Sequence, residues 1–143
     1  MIFQAITAIA TAALFLVAWL QIASLKEQVR LAREQAKASF EDGLAAQYRR
    51  IMRDIPIEIW LDSELHVLRG LRQSRCRDAI YRYIDLSQEQ AFLHEINRVT
   101  NETWIEWSKG IKFNMRLKAF QSVWAEVSEK HPDNFNELRE LLK

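Results

Sequence analysis

Turn-forming residues and cysteine are scarce in this chain of 143 residues, which has three glycines, two prolines and one cysteine. The single cysteine excludes an internal disulfide framework and a cysteine-rich zinc module. The few glycines and prolines argue against an all-β fold, because such folds depend on many tight turns. A strong charge of either sign is lacking too, since the net charge is +1. Composition therefore gives no reason to expect nucleic acid as a partner.

One end of the sequence lacks charge altogether. Residues 2–25 hold no charged side chain, and the 20 basic and 19 acidic residues all follow from Lys26 onward. A helix of that length reaches about 36 Å at about 1.5 Å per residue, enough to cross a hydrocarbon core of about 30 Å. The run is longer than the apolar part of a cleaved signal peptide and has no basic start. We therefore predict a single-pass transmembrane anchor over residues 1–25, with the lipid bilayer as a partner.

Basic residues set the predicted orientation of this anchor. Lys26, Arg30, Arg33 and Lys37 follow the span within one short stretch, and no basic residue precedes it. Basic flanks remain on the cytosolic side of a membrane. We predict a plasma-membrane protein with its N-terminus outside and its C-terminal domain in the cytosol.

Residues 26–43 are predicted to form a juxtamembrane helix that continues the span, because no glycine or proline interrupts residues 2–42. Apolar side chains recur there at alternating spacings of three and four. This heptad seam consists of Ile22, Leu25, Val29, Ala32 and Ala36. Such a seam is typical of a parallel coiled coil, and so of a homo-oligomer. A short amphipathic helix that packs on its own domain would give the same pattern, and the sequence leaves both interpretations open.

The rest of the chain, residues 44–143, predicts a compact domain of several helices. No segment alternates between apolar and polar residues with period two, so we predict an all-α fold without a sheet. The longest predicted helix of this domain covers residues 75–96. Its predicted core-facing residues are Ile80, Tyr83, Ile84, Ala91, Phe92 and Ile96. A later stripe that includes Trp104 and Trp107 packs in the core or lines a ligand groove.

Small polar residues mark the predicted helix starts, because their side chains accept hydrogen bonds from the free N–H groups of the first turn. Asp62 or Ser63 is expected to cap a short helix. Thr100 or Asn101 is expected to cap the helix that carries the tryptophan stripe, and Asp133 the last helix.

A run of arginines is the strongest charge feature of the predicted domain. These residues, called the arginine surface below, are Arg69, Arg72, Arg75, Arg77 and Arg82. Arginine binds planar oxyanions with paired donors, so the run predicts a surface for an anionic ligand or an acidic partner. Internal pairing with the acidic residues of 54–64 or 85–89 is the alternative.

Residue types that catalyse reactions or bind metals are scattered. His66, His94 and His131 are isolated, and the run FLHEINR at 92–98 lacks the second histidine of a zinc-protease helix. Cys76 lies between arginines that would favour its thiolate, although an inert buried cysteine is the simpler interpretation. No catalytic, metal or cofactor motif is found, so we predict no cofactor. An active site would need a deep pocket that holds two or more of Glu64, His66, Cys76, Glu89 and His94.

The order of aromatic and packing residues between positions 45 and 140 carries a resemblance to a family. The residues are Tyr83, Leu86, Glu89, Phe92, Leu93, Thr103, Trp104, Trp107, Gly110, Ile111, Asn114, Phe120, Trp124 and Phe135. In this order they resemble small bacterial membrane-anchored proteins, which join one or two N-terminal spans to a cytosolic helical domain of unknown function. The resemblance implies a shared fold at the bacterial inner membrane and supplies no catalytic residue, cofactor or substrate. The chain departs from that family at 96–99, where Ile-Asn-Arg-Val replaces a glycine-containing turn.

These features predict a non-enzymatic interaction or adaptor protein that holds a protein partner, or its own oligomer, at the cytosolic face of the membrane. The prediction depends on the anchor, the heptad seam and the lack of a catalytic motif. The alternative is a membrane-linked sensor or effector that binds a nucleotide, a phosphate or a lipid headgroup through the arginine surface.

Overall fold

The computed structural model describes the backbone of residues 2–143 and the side chains of residues 14–143, and most of these residues lie in helices. No strand occurs over residues 2–143, which confirms the predicted all-α class. The helices are α1 (Ile2–Arg53), α2 (Ile57–Trp60), α3 (Leu71–Glu95), α4 (Asn101–Asn114), α5 (Lys118–Lys130) and α6 (Asn136–Leu142), with a 3₁₀ turn at Leu65–Val67.

The predicted membrane span lies partly outside the described side chains, which begin at residue 14. Within the described part of the chain, no helix holds a stretch that is both long and apolar enough to cross a membrane. The anchor over residues 1–25 therefore stays a prediction.

Helix α1 is continuous over its 52 residues, which confirms the uninterrupted helix predicted for residues 2–42. It runs on through Gly43 and ends at Arg53, just before Pro56. Proline disfavours the α conformation of the residue before it, and this restriction stops the helix. The contacts divide the chain within α1 into two compact units, Met1–Ser39 and Phe40–Lys143. The sequence analysis placed the corresponding boundary after Gly43.

The core of the C-terminal unit forms around α3, which contacts α4, α5, α6 and the 3₁₀ turn. Tyr83 of α3 and Phe120 of α5 are buried, and their rings meet edge to face with centroids 5.3 Å apart. Trp60 of α2 lies against Phe120 at 5.8 Å. Aromatic side chains bury about 150–250 Å² each, so this cluster supplies a large share of the hydrophobic stabilisation.

The second half of α3 directs a different face to the core than the sequence predicts. Phe92 and Ile96 were expected inside, but they are 45% and 46% exposed, so this prediction is wrong. Ser87 and Gln90 are buried instead. They follow Tyr83 at steps of four and three residues, which keeps them on the face of the helix that the ring anchors in the core.

Thr100 caps α4 as predicted, because its Oγ1 accepts a hydrogen bond from the Thr103 N–H at 3.3 Å. The cap predicted at Asp133 is wrong. Helix α6 begins after Phe135, which has φ 62° and makes no side-chain capping bond. The buried Phe135 ring stacks edge to face on Trp124, so packing rather than a polar cap sets this helix start.

The short helix predicted after Asp62 or Ser63 is also wrong, because only the 3₁₀ turn forms there. Asp62 has φ 60°, and its Oδ1 accepts a hydrogen bond from the Lys118 N–H at 2.9 Å. Asp62 thus satisfies a free donor at the start of α5, a helix distant in sequence.

Asn97 makes the turn at 96–99 in place of glycine. Its φ of 58° is the left-handed conformation that asparagine tolerates better than other non-glycine residues. Beside this turn, the Arg98 guanidinium lies over the Phe40 ring at 4.9 Å from its centroid.

Candidate functional site

The heptad seam is an exposed apolar surface in the N-terminal unit. Ile22 is 52% exposed, Leu25 59% and Val29 44%, and the alanines at 32 and 36 are exposed as well. The spacing of three and four places all of these side chains on one face of α1. The face is therefore available for contact with another molecule or with lipid.

The opposite face of α1 is polar and internally paired. The Arg30 guanidinium donates to Glu27 and to Glu34, with the shortest N–O distance 2.6 Å in each pair. The hydrogen bond from Arg30 lowers the pKa of the Glu27 carboxyl below its ordinary value. The charges of Arg30, Glu27 and Glu34 are thus compensated along one face, while the side chains of the heptad seam occupy the other.

Ion pairs with acidic side chains occupy part of the arginine surface. Arg72 contacts Glu58 at 3.1 Å, Arg82 contacts Asp54 at 2.7 Å, and Arg77 pairs with Glu126. The first two acids belong to the acidic stretch 54–64, and Glu126 lies outside both predicted stretches. The hydrogen bond from Lys130 and the charge of Arg77 lower the pKa of the Glu126 carboxyl below its ordinary value.

These pairings leave part of the arginine surface without an ion pair among the described residues. Arg69 and Arg75 are exposed and form no ion pair with any residue that the structure describes. Recognition of an anionic ligand at the arginine surface stays a prediction, and Arg69 and Arg75 are the residues that would bind the ligand.

The scattered candidates for chemistry occupy different environments. His66 contacts Glu64 at 3.0 Å, and both side chains are exposed. Glu89 is exposed, whereas His94 stacks on Trp104 with ring centroids 4.6 Å apart. Cys76 is fully buried. Among the described residues, no group of three or more His, Cys, Asp or Glu could hold a metal ion.

Cys76 is expected to resist thiol reagents in the folded protein. Burial raises the pKa of its thiol to about 11, so the reactive thiolate is scarce at pH 8 despite the arginines nearby. We expect labelling by a disulfide reagent at pH 8 to be at least about 100-fold slower than in urea, because the site must first open. A Ser74→Cys, Cys76→Ala variant provides an exposed thiol for comparison. Equal rates for native wild-type protein and this variant would show that Cys76 is accessible.

A cavity of about 270 Å³ lies within the C-terminal unit between the end of α1, the middle of α3 and α4. Its lining is mainly apolar and includes Trp107 and Ile111 of α4, Tyr83 of α3 and Tyr48 of α1. Ligand pockets are typically concave and apolar with a few polar groups, and they reach about 300–1,000 Å³ for drug-sized ligands. The volume of this cavity suits a smaller molecule.

Two hydrogen-bonded contacts hold the walls of the cavity in place. The Glu41 carboxylate of α1 accepts from the Thr100 N–H at 2.6 Å and from the Thr103 hydroxyl at 2.7 Å. The Asn114 amide of α4 donates to the hydroxyl of Tyr83, a lining residue of α3, at 3.0 Å. These contacts tie α1 to the start of α4, and α4 to α3.

Gln90 is the unusual residue of this cavity. It is 4% exposed and lines the cavity, and its side-chain amide makes no hydrogen bond to any described residue. Among the described side chains, Ser128 Oγ is the buried polar atom without a hydrogen-bond partner, so the Gln90 amide is not sealed in the core and opens to the cavity. A ligand that displaces solvent from this amide must replace the hydrogen bonds that solvent supplies. The buried neighbours Ser87 and Asn114 are both hydrogen-bonded, to Tyr83 O at 2.8 Å and to Tyr83 Oη at 3.0 Å.

Gly110 of α4 also lines the cavity, and glycine is an unfavourable residue at such a position inside a helix. A Cβ built on Gly110 meets no atom within 4 Å, so close packing does not require glycine there. Glycine inside a helix is less stable than alanine by about 0.5–1 kcal/mol. The absent side chain leaves open space on the cavity wall.

From the sequence, only the tryptophan stripe points to this site, as part of a core or of a ligand groove. Nothing in the sequence singles out Gln90, because a polar residue within an amphipathic helix normally faces solvent. Comparisons with protein-family models, with curated proteins and with solved structures find no match.

Proposed function

We propose that the protein is a membrane-anchored adaptor that dimerises through the heptad seam of α1 and holds its helical domain at the cytosolic face of a bacterial inner membrane. The exposure of Ile22, Leu25 and Val29 on one face of α1 carries the proposal. A helix face with three large unburied apolar side chains gains hydrophobic stabilisation when another surface covers them.

A second copy of this chain suits the seam better than an unrelated partner. Ile22 and Val29 take the a positions of the heptads, and Leu25 takes the d position between them. β-Branched residues at a with leucine at d favour two parallel strands. The paired charges of Arg30 lie on the opposite face, where they do not oppose such a contact.

The anchor is supported by the sequence of residues 2–25, which lacks charge, and by the basic residues that follow it. A shared membrane fixes two chains in parallel orientation and raises their local concentration, which favours a short coiled coil. The resemblance to membrane-anchored helical proteins agrees with this arrangement.

The proposal is tested by the mass of the full-length protein in mild detergent, after its membranes have been washed with alkaline carbonate. We expect the protein to stay in the washed membranes and to elute as a dimer. Leu25→Lys and Val29→Lys should each yield monomers, because burying an unpaired ammonium costs several kcal/mol. That cost corresponds to a dimer more than about 100-fold weaker.

Leu31→Lys is the matched control. Leu31 is 44% exposed on the same helix but lies off the seam, so this variant should remain dimeric. A monomeric wild-type protein, or dimers that persist in both seam variants, would contradict assembly through this face. Release of the protein by carbonate would contradict the anchor independently of the seam.

A further inference from the structure

We propose that the cavity between α1, α3 and α4 binds an aromatic α-amino acid whose ring carries a hydrogen-bonding group, as in tyrosine or tryptophan. The proposal is independent of assembly through the heptad seam, because every wall of the cavity belongs to the C-terminal unit. Three features of the walls carry it: the Gln90 amide, which opens to the cavity and has no hydrogen-bond partner among the described residues, the charges at the rim and the open space beside Gly110.

The buried end of the ligand is defined by Gln90. Its amide offers one acceptor and two donor hydrogens, and none of them is used by a described residue. A phenol hydroxyl or an indole N–H would satisfy this amide, whereas a plain hydrocarbon ring would leave it unpaired. A site built to hydrogen-bond a ligand group discriminates strongly against the analogue that lacks it.

The middle of the ligand is defined by the aromatic lining. The lining includes Tyr48 of α1, Trp107 of α4 and the buried Tyr83 ring of α3. Tyr48 and Tyr83 already lie 6.2 Å apart, within the range of aromatic contacts. A flat ring that packs against this lining buries apolar surface and gains favourable ring geometry.

The outer end of the ligand is defined by opposite charges on two helices. Arg49 of α1 is exposed and forms no ion pair with any residue in the described part of the chain. Glu106 of α4 pairs with an exposed neighbour on its own helix, Lys109, at 2.8 Å. A carboxylate binds arginine through paired hydrogen bonds, and an ammonium group binds a carboxylate. A zwitterion uses both rim charges, whereas a simple anion would be repelled by Glu106.

Gly110 of α4 is a lining residue with open space beside it. The open space where its side chain would stand is space that a ligand can fill. Gly43 in α1 also has no atom within 4 Å of a built Cβ, but it does not line the cavity. The two glycines therefore form a matched pair. Alanine at either position changes helix stability, but only alanine at position 110 fills space in the cavity.

Isothermal titration calorimetry of the full-length protein in detergent tests the ligand class. We expect L-tyrosine or L-tryptophan to bind, and L-phenylalanine to bind at least about tenfold more weakly because it leaves Gln90 unpaired. Tyramine lacks the carboxylate and 4-hydroxyphenylacetate lacks the ammonium group, so each should lose about tenfold or more. L-Alanine should give no signal. No heat from any of these probes, or equal binding of phenylalanine and tyrosine, overturns the proposal.

Substitutions at the rim test the same site without disturbing the fold. Arg49→Gln should weaken binding of the best ligand by about tenfold or more, because it removes the partner of the carboxylate. Arg50→Gln is the control, since Arg50 is exposed on the same helix and does not line the cavity. Equal affinities of these two variants would place the ligand elsewhere and overturn the assignment.

The glycine pair supplies a test that does not depend on charge. Gly43→Ala and Gly110→Ala should each raise the melting temperature by about 2–8 °C, because alanine favours the helix. Only Gly110→Ala should weaken ligand binding, by about tenfold, because its methyl group occupies the cavity. Unchanged binding in Gly110→Ala contradicts a ligand that contacts this wall, whereas the melting temperatures show that both variants are folded.

Discussion

Replacing Phe120 by alanine is expected to lower the free energy of unfolding of the C-terminal unit by about 3–5 kcal/mol. The Phe120 side chain is fully buried in α5 and contacts the rings of Tyr83 and Trp60. Its removal loses the transfer free energy of a phenyl group and leaves a void beside the side chains of two other helices. Urea titration followed by tryptophan fluorescence measures the loss.

Phe113→Ala is the control for this experiment. Phe113 lies in α4 and is 64% exposed, so its replacement should change the free energy of unfolding by no more than about 0.5 kcal/mol. A loss for Phe120→Ala within about 1 kcal/mol of the Phe113→Ala value would contradict a core centred on this cluster. The comparison holds residue type constant and varies burial.

The sequence predicts the helical class and the first half of the core because both depend on local periodicity. Ile80, Tyr83 and Ile84 lie at spacings that only a helix brings to one face, and all three are buried. The prediction fails further along α3, where Phe92 is exposed. Here the surrounding helices select which face is covered, and no local pattern reveals that choice.

Polar residues show the same limit, because a local pattern does not reveal which N–H group a side chain meets in the folded chain. Asp62 was expected to cap the residues that directly follow it, but its carboxylate accepts a hydrogen bond from the Lys118 N–H of α5. A capping side chain chooses its donor by distance in space, so sequence proximity predicts Thr100 correctly and Asp62 wrongly. Tertiary structure decides such cases.

The heptad seam and the cavity differ in how far each can be predicted from the sequence. The heptad seam lies on one helix, and steps of three and four residues are sufficient to propose it from sequence. The cavity joins residues from three helices, for example Arg49, Gln90 and Trp107. These residues share no motif, and the most informative of them, Gln90, is recognisable only because the fold places its amide, unpaired among the described residues, on the cavity wall. Sequence periodicity could therefore suggest a groove beside Trp107 but not the chemistry of its walls.

Replacing Leu138 by alanine is expected to lower the free energy of unfolding by about 2–5 kcal/mol and to detach α6. A helix of seven residues is unstable alone, so tertiary contacts must hold it. Leu138 is fully buried, and its N–H donates to Gln88 Oε1 at 3.0 Å, while the Gln88 amide donates to Glu137. Urea titration gives the loss of stability, and hydrogen exchange of the α6 amides shows whether the helix separates before the rest of the unit unfolds.

Leu71→Ala removes the same side chain from a position that is 76% exposed at the start of α3. It should leave both the free energy of unfolding, within about 0.5 kcal/mol, and the exchange of the α6 amides unchanged. If Leu138→Ala lost no more stability than Leu71→Ala, the packing of α6 against α3 would not hold the C-terminus. If stability fell while the α6 amides exchanged only with global unfolding, α6 would belong to the same cooperative unit as the core, and only its detachment would be contradicted.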